Sequence, residues 1–337
     1  MATSRELVRQ TLEFDGPKRA PRQLWVLPWA RMYESENLKG IVSQFPDDII
    51  WDMPVPYKKR PKTTGDPYEL GVYVDEWGCE FSSVHRGIVG EVKKPLVAQE
   101  NWEDSDKVRF PEEILDFDVA AVNAYCANTD KFVLQTDFVR PFERLQFIRG
   151  TAELYMDIAM ENDGMLKFVK KLHDFNCKVM EAWAKTDVDA LFMMDDWGSQ
   201  NALLINPQAW GKIFKPMYAE YCSIAKKYGK KIFMHSDGNT LQIVPHLIEI
   251  GLDAANLQLF CIGVENLEQF KGKLTFWGEM CRQHILPYAD AEDVQKAVQR
   301  VYDTLWDNGG CIAQCEFGPG AKPENVREVF DAWSKVT

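Results

Sequence analysis

The run Phe233-Met234-His235-Ser236-Asp237-Gly238 decides how this chain is read. It is apolar through Met234 and then ends in a histidine and a carboxylate two residues apart. Alternate residues of a strand project to the same side, so His235 and Asp237 point together from a buried strand tip. Barrel enzymes keep their chemistry at such tips. The pattern recurs. Leu191-Phe192-Met193-Met194 runs into Asp195-Asp196-Trp197-Gly198, and Ala254-Ala255 into Asn256-Leu257-Gln258. Leu274-Thr275-Phe276-Trp277 runs into Gly278-Glu279, and Ile312-Ala313 into Gln314-Cys315-Glu316-Phe317-Gly318. Five such runs in order, with helical segments between them, predict a parallel sheet. No G-x-G-x-x-G or P-loop follows any strand, which lowers the nucleotide-binding readings of an open sheet. The regular spacing of the second half favours a closed (β/α)8 TIM barrel, with residues 1–337 as a single domain.

Outward from that run, residues 4–14 read as a helix stopped by Gly16-Pro17, an N-terminal extension to the barrel. Trp25-Val26-Leu27-Pro28-Trp29 reads as the first strand and Phe132-Val133-Leu134-Gln135-Thr136-Asp137 as a later one. Residues 46–110 differ, being rich in Pro, Gly, Trp and charge. They read as a long insertion after the first strand, a lid over the strand ends, since long loops in compact domains are usually functional. Helices are expected over 151–160, 163–185, 207–228, 240–250, 265–270, 291–308 and 323–333.

The chain is 46% hydrophobic over 337 residues, enough for a large core. A formal net charge of −12 argues against nucleic acid and anionic membrane surfaces as partners. The start, Met1-Ala2-Thr3-Ser4-Arg5-Glu6, lacks the apolar core of a signal peptide, and no apolar run reaches the roughly 18 residues of a membrane span. A cytoplasmic location is therefore expected, with oligomerisation left open. The eight cysteines are scattered without a CxxC pair and read as reduced thiols rather than a structural zinc finger.

The candidate catalytic set is His235, Asp237, Glu279 and Glu316. The same four could hold a zinc ion, which accepts histidine and carboxylate together, or run acid–base chemistry without a metal. Asp237 could instead cap the helix that follows it. Of Asp195 and Asp196, alternation lets only one face inward. Asn256 and Gln258 are candidate hydrogen-bonding groups for a substrate. Trp29, Trp77 and Trp197 could stack on an aromatic ring, although such aromatics are more often core.

On these residues the chain resembles the uroporphyrinogen decarboxylase superfamily, which holds a haem-pathway decarboxylase and a larger group of corrinoid-linked methyltransferases. The resemblance is strongest in 191–200, 235–238, 251–258, 275–283 and 309–325. Asp75-Glu76-Trp77-Gly78-Cys79 looks like the methyltransferase branch. The decarboxylase pattern Trp-x-Met-Arg-Gln-Ala-Gly-Arg-Tyr aligns with Trp25-Val26-Leu27-Pro28-Trp29-Ala30-Arg31-Met32-Tyr33. Pro28 and Met32 stand where its two arginines belong, leaving Arg31 as the remaining candidate anchor for a polyanion. The thiol-methylating members bind zinc through His-x-Cys-Gly and a later Pro-Gly-Cys-Gly. Here Asp237 replaces the first cysteine and Pro319 the second.

The resemblance implies a methyltransferase that moves a methyl group from a methoxylated, aromatic compound to the corrinoid of a partner protein. No Asp-x-His-x-x-Gly corrinoid motif occurs in this chain. Trp29, Arg31, Trp77, Asp195, Asp196, Trp197, Asn256 and Gln258 are the expected substrate-binding residues. Two alternatives stay open: a decarboxylase of a small or tetrapyrrole acid, and a non-catalytic barrel subunit. The last predicts unfilled or mutually neutralised strand tips.

Overall fold

The computed structural model describes residues 2–336. Its strands are β1 (Arg22–Val26), β2 (Ile49–Ile50), β3 (Gly71–Val74), β4 (Glu80–Ser83), β5 (Glu91–Lys94), β6 (Phe132–Val133), β7 (Ala190–Met194), β8 (Lys231–Ser236), β9 (Ala254–Leu257), β10 (Thr275–Glu279) and β11 (Cys311–Phe317). Six of them form one parallel sheet in the order β1-β11-β10-β9-β8-β7. The remaining gap is closed by the parallel pair β2–β6. Leu134, just past β6, bridges Ala190 of β7, and the Asp48 amide donates to the Arg22 carbonyl beside β1 at 2.8 Å. The result is an eight-stranded (β/α)8 barrel.

Strand alternation sorts the core into two layers. Inward, Trp25, Ile49, Phe132, Phe192, Phe233, Ala254, Trp277 and Ile312 fill the barrel. Outward residues such as Met193, Met234, Leu257, Phe276 and Cys315 pack under the helices. The first helix, Ser4–Leu12, starts with a capping box between Thr3 and Glu6 and sends Val8 and Leu12 into the inner layer. Arg5 and Arg9 tie it to Asp189, just before β7, at 2.9 Å each. It therefore plugs the N-terminal end of the barrel, leaving the C-terminal end for function. Each fully buried side chain of this kind stabilises by about 1.5–3 kcal/mol.

Three expectations change. The insertion follows β2, not the first strand. Ile49–Ile50 is too short to show any alternation, and it is hidden between Pro46-Asp47-Asp48 and Trp51-Asp52-Met53-Pro54. The first strand ends at Val26, because Pro28 opens a helix, Pro28–Tyr33, at the position that tolerates its missing N–H. Trp29 thus lies on a helix. The expected helix 207–228 divides into Pro207–Ile213 and Lys215–Lys227, since Pro216 cannot supply an intrahelical donor.

Candidate functional site

The tips of β7 and β8 are held together by two glycines. Gly238 has φ +78, and a Cβ there would sit 2.1 Å from the Gly198 carbonyl oxygen; a Cβ on Gly198 would meet the Asn239 nitrogen at 2.4 Å. Only glycine permits that crossing. It brings Asp196, past the end of β7, across to His235 on β8.

His235 is buried, on the inward row with Phe233. Its Nδ1 lies 2.6 Å from Asn256 Oδ1, and the Asn256 amide nitrogen donates to the Trp277 carbonyl at 2.6 Å. That second bond fixes the amide orientation, so Nδ1 is the donor toward Asn256. Nε2 then faces Asp196 Oδ1 at 3.4 Å and Asp237 Oδ1 at 3.6 Å. Burial works against a charged imidazole, but Asp196 and Asp237 overcome it and push His235 up to about 10. The two carboxylates favour the imidazolium form of His235 over the neutral ring. The Asp196 carboxyl is held low by that imidazolium against burial. Asp237 Oδ1 is buried with no donor in hydrogen-bond reach. The ring also tilts against Trp25, with centroids 4.9 Å apart.

The other half of the mouth is organised by Arg282. It reaches Asp237 Oδ2 through Nη2, Glu279 Oε1 through Nε at 3.2 Å, and both Glu316 oxygens through Nη1 at 3.1 Å. Glu279 is pushed up to about 8 by burial and by Asp237 and Glu316, against Arg282. Burial also raises Glu316. The structure thus brings all four expected catalytic residues to one mouth, but divides them. His235 pairs with Asp196 and Asp237, while Glu279 and Glu316 are engaged by Arg282.

The donor set for a metal is redrawn accordingly. Asp196, His235 and Asp237 can each offer one atom within 4.8 Å of the others. The unpartnered Asp237 Oδ1, and an Nε2 aimed by a donor bond on Nδ1, suit a zinc ligand set in which His235 gives up its Nε2 proton on binding. Glu279 and Glu316 fall outside that group: both carboxyls sit against Arg282, although Glu279 Oε1, like Asp237 Oδ1, is buried without a hydrogen-bond partner.

The expected substrate-binding residues separate as well. Asp195 is fully buried and accepts from the Phe142 and Glu143 amides at 3.1 and 2.8 Å and from Tyr218 Oη at 2.5 Å. It anchors the start of helix Pro141–Arg149. Trp197 stacks on Phe142 at 4.0 Å and donates to Tyr218, inside the helical layer. Gln258 accepts from the Gly238 amide at 3.1 Å and Asn256 holds His235, so both position the site. Arg31 is exposed and lies 3.6 Å from Asp52.

Trp77 lines a cavity of about 780 Å³ whose walls include no residue of the His235 cluster. Tyr57 and Tyr73 wall it from the insertion, and Asp137, Phe138 and Arg140 from beyond β6. The Trp77 ring is packed under Arg144, which binds Asp75 at 2.5 Å. Arg140 joins cavity to cluster: its Nη2 stands 3.7 Å from the sulfur of Met194, which pairs in register with His235. The end of the insertion turns away, with Trp102 donating to Asp157 on the flank.

Sequence reasoning missed Arg282, Arg140 and Arg144. The signal for Arg282 was its place three residues after a strand-tip glutamate, within Glu279-Met280-Cys281-Arg282.

The family model for uroporphyrinogen decarboxylase (URO-D) matches residues 67–336. The chain belongs to the URO-D family. No curated protein matches it. Among solved structures, a methyltransferase from Methanosarcina mazei superposes over 99% of both chains with a TM-score of 0.69 at 12% identity. At that identity the likeness speaks for the fold. A 3-keto-D-glucoside 4-epimerase from E. coli covers 72% of this chain and 97% of its own, at 11% identity and a TM-score of 0.39. Within the family, this member lacks the arginine pair that the decarboxylase pattern sets after the first strand: Pro28 opens a helix there, and Met32 is exposed. Among the described residues no helix is long and apolar enough to cross a membrane.

Proposed function

We propose that this URO-D family member is a methyltransferase. In this reading it takes the methyl group of a methoxylated aromatic compound and delivers it to the corrinoid of a separate protein. The observation that carries the reading is His235, favoured as the imidazolium by two carboxylates, fixed through Nδ1, with Nε2 aimed into the mouth. Cleaving an aryl methyl ether leaves both electrons of the C–O bond on oxygen, so the leaving phenolate needs a proton. Proton transfer is most effective when donor and acceptor are matched. His235, at about 10, lies close to an ordinary phenol, at about 10. Asp196 and Asp237 stabilise the imidazolium before the proton leaves and orient Nε2 toward the ether oxygen. Tyr57, Tyr73, Phe138 and Trp77 offer walls of the kind that hold an aromatic ring. The partner's corrinoid supplies a reduced cobalt that accepts the methyl group. Were zinc bound at Asp196, His235 and Asp237, it would supply Lewis acidity to the same oxygen.

The strand tips also bear on the reading of a non-catalytic barrel. Arg282 engages three acidic side chains, as that reading expects, yet Asp237 Oδ1 is left without a hydrogen-bond donor. The test mixes the protein with a methoxylated arene and a reduced corrinoid protein. Free phenol and a methylated corrinoid are expected in equal amounts. Carbon dioxide release from a carboxylic acid without any corrinoid would favour a decarboxylase instead, and neither product would favour the docking subunit.

A further inference from the structure

On the outside of the barrel, helix Asp163–Ala184 packs against helix Lys215–Lys227. Where they meet, His173 and Cys177 stand one turn apart on the first helix and Glu220 projects from the second. Residues four apart share one helix face. His173 Nε2 lies 2.8 Å from Glu220 Oε2. Cys177 Sγ rests beside the ring, 3.7 Å from Nε2 and 3.8 Å from Nδ1. One ligand atom from each of the three lies within 4.8 Å of the others. Behind them a buried pair supports the ring: Tyr221 Oη is 3.2 Å from His173 Nδ1 and accepts from Asn176 Nδ2 at 3.3 Å.

We infer that His173, Cys177 and Glu220 form a zinc-binding site that joins these two helices, separate from the His235 cluster. Zinc takes nitrogen, sulfur and oxygen ligands in tetrahedral array, with water as the fourth where the protein supplies three. A thiolate in the set selects it over magnesium or calcium. In the tautomer whose Nδ1–H donates to the Tyr221 hydroxyl, Nε2 is left for the metal, the usual support of a ligating histidine. A His at i and a second ligand at i+4 is the spacing by which helices present zinc ligands from one face. Binding forms one bond each from zinc to sulfur, nitrogen and oxygen, releases the thiol proton to solvent, and changes no oxidation state.

The competing reading is a cysteine nucleophile activated by His173. Burial and Glu220 push the Cys177 thiol up to about 12, with Asp174 and Glu181 acting in the same direction. A nucleophile would need the reverse. The half-exposed Glu220 leaves the site open to exchange with free zinc.

The test uses the full chain after stripping with a chelator. Cobalt(II) titration should give one equivalent with a thiolate-to-metal charge-transfer absorption in the near ultraviolet. His235→Ala should keep that band, since no cysteine belongs to its cluster. Cys177→Ser and His173→Ala should each abolish it, Glu220→Gln should weaken affinity roughly 10–100-fold, and zinc should displace the cobalt. Saturating zinc should raise the Tm of the wild type by about 5 °C more than that of Cys177→Ser, through binding to the folded state. A wild type without a thiolate band would overturn the inference, as would a band that survives Cys177→Ser.

Discussion

The two halves of the barrel mouth are built from the same residue types and do opposite things with them. On one side His235 stands between Asp196 and Asp237 with Nε2 facing inward and one carboxylate oxygen unpaired. On the other, Arg282 spends its donors on Asp237, Glu279 and Glu316. A charge whose bonding capacity is filled holds a shape; a charge with an open atom can act on a ligand. Asp237 belongs to both halves, giving Oδ2 to the arginine and leaving Oδ1 toward the histidine. The arginine half thus fixes the carboxylate that charges the histidine half.

The reactive half depends most on His235. His235→Ala should lower the demethylation rate by about 10²–10⁴, with circular dichroism unchanged. On the arginine side the loss should fall on stability instead. Arg282→Ala leaves the Asp237 and Glu316 carboxylates and the buried Glu279 carboxyl without their partner, and denaturant unfolding should show a loss of about 3 kcal/mol. If Arg282→Ala proved as stable as the wild type, the division of the mouth into scaffold and reactive halves would fail. Asn256→Ala removes the bond that aims Nε2. A positioning role predicts a roughly 10–100-fold fall in rate, together with a downward shift of the alkaline limb of the pH–rate profile, which a packing role would not produce.

Both halves make stability depend on pH. The folded-state value of His235, about 10, lies above its ordinary value of 6.5, so its contribution is complete below 6.5 and is lost as pH rises through about 10. Glu279 is also raised, from 4.5 to about 8, so the folded state holds its proton more tightly and loses that advantage as pH rises from 4.5 to 8. Both make the protein less stable toward alkali. Glu279→Gln should flatten the slope between pH 4.5 and 8 while leaving the higher one in place. The smallest effect is expected at Arg31, exposed beside Asp52. Arg31→Ala should shift stability by less than about 0.5 kcal/mol.

Much of the fold was legible because five strand tips shared one pattern, an apolar run ending in polar residues. The second barrel strand was not, since two residues carry no periodicity and Ile49–Ile50 is set among charge and proline. At the site, period-two alternation placed His235 on the inward row, and it divided Asp195 from Asp196 correctly in kind. It could not tell which of the two faced His235; the Gly198–Gly238 crossing decides that, and it is a tertiary fact. Arg282 escaped because it stands past the strand, where alternation ends and the chain's path sets the direction of a side chain.

The account turns on His235 giving a proton to a departing phenolate. The direct measurement is single-turnover phenol release from a series of aryl methyl ethers, comparing the wild type with His235→Ala. Ethers of acidic phenols leave without help; ethers of weakly acidic phenols do not. The account predicts that the His235→Ala defect shrinks steadily as the leaving phenol becomes more acidic. A defect of constant size across the series would contradict it.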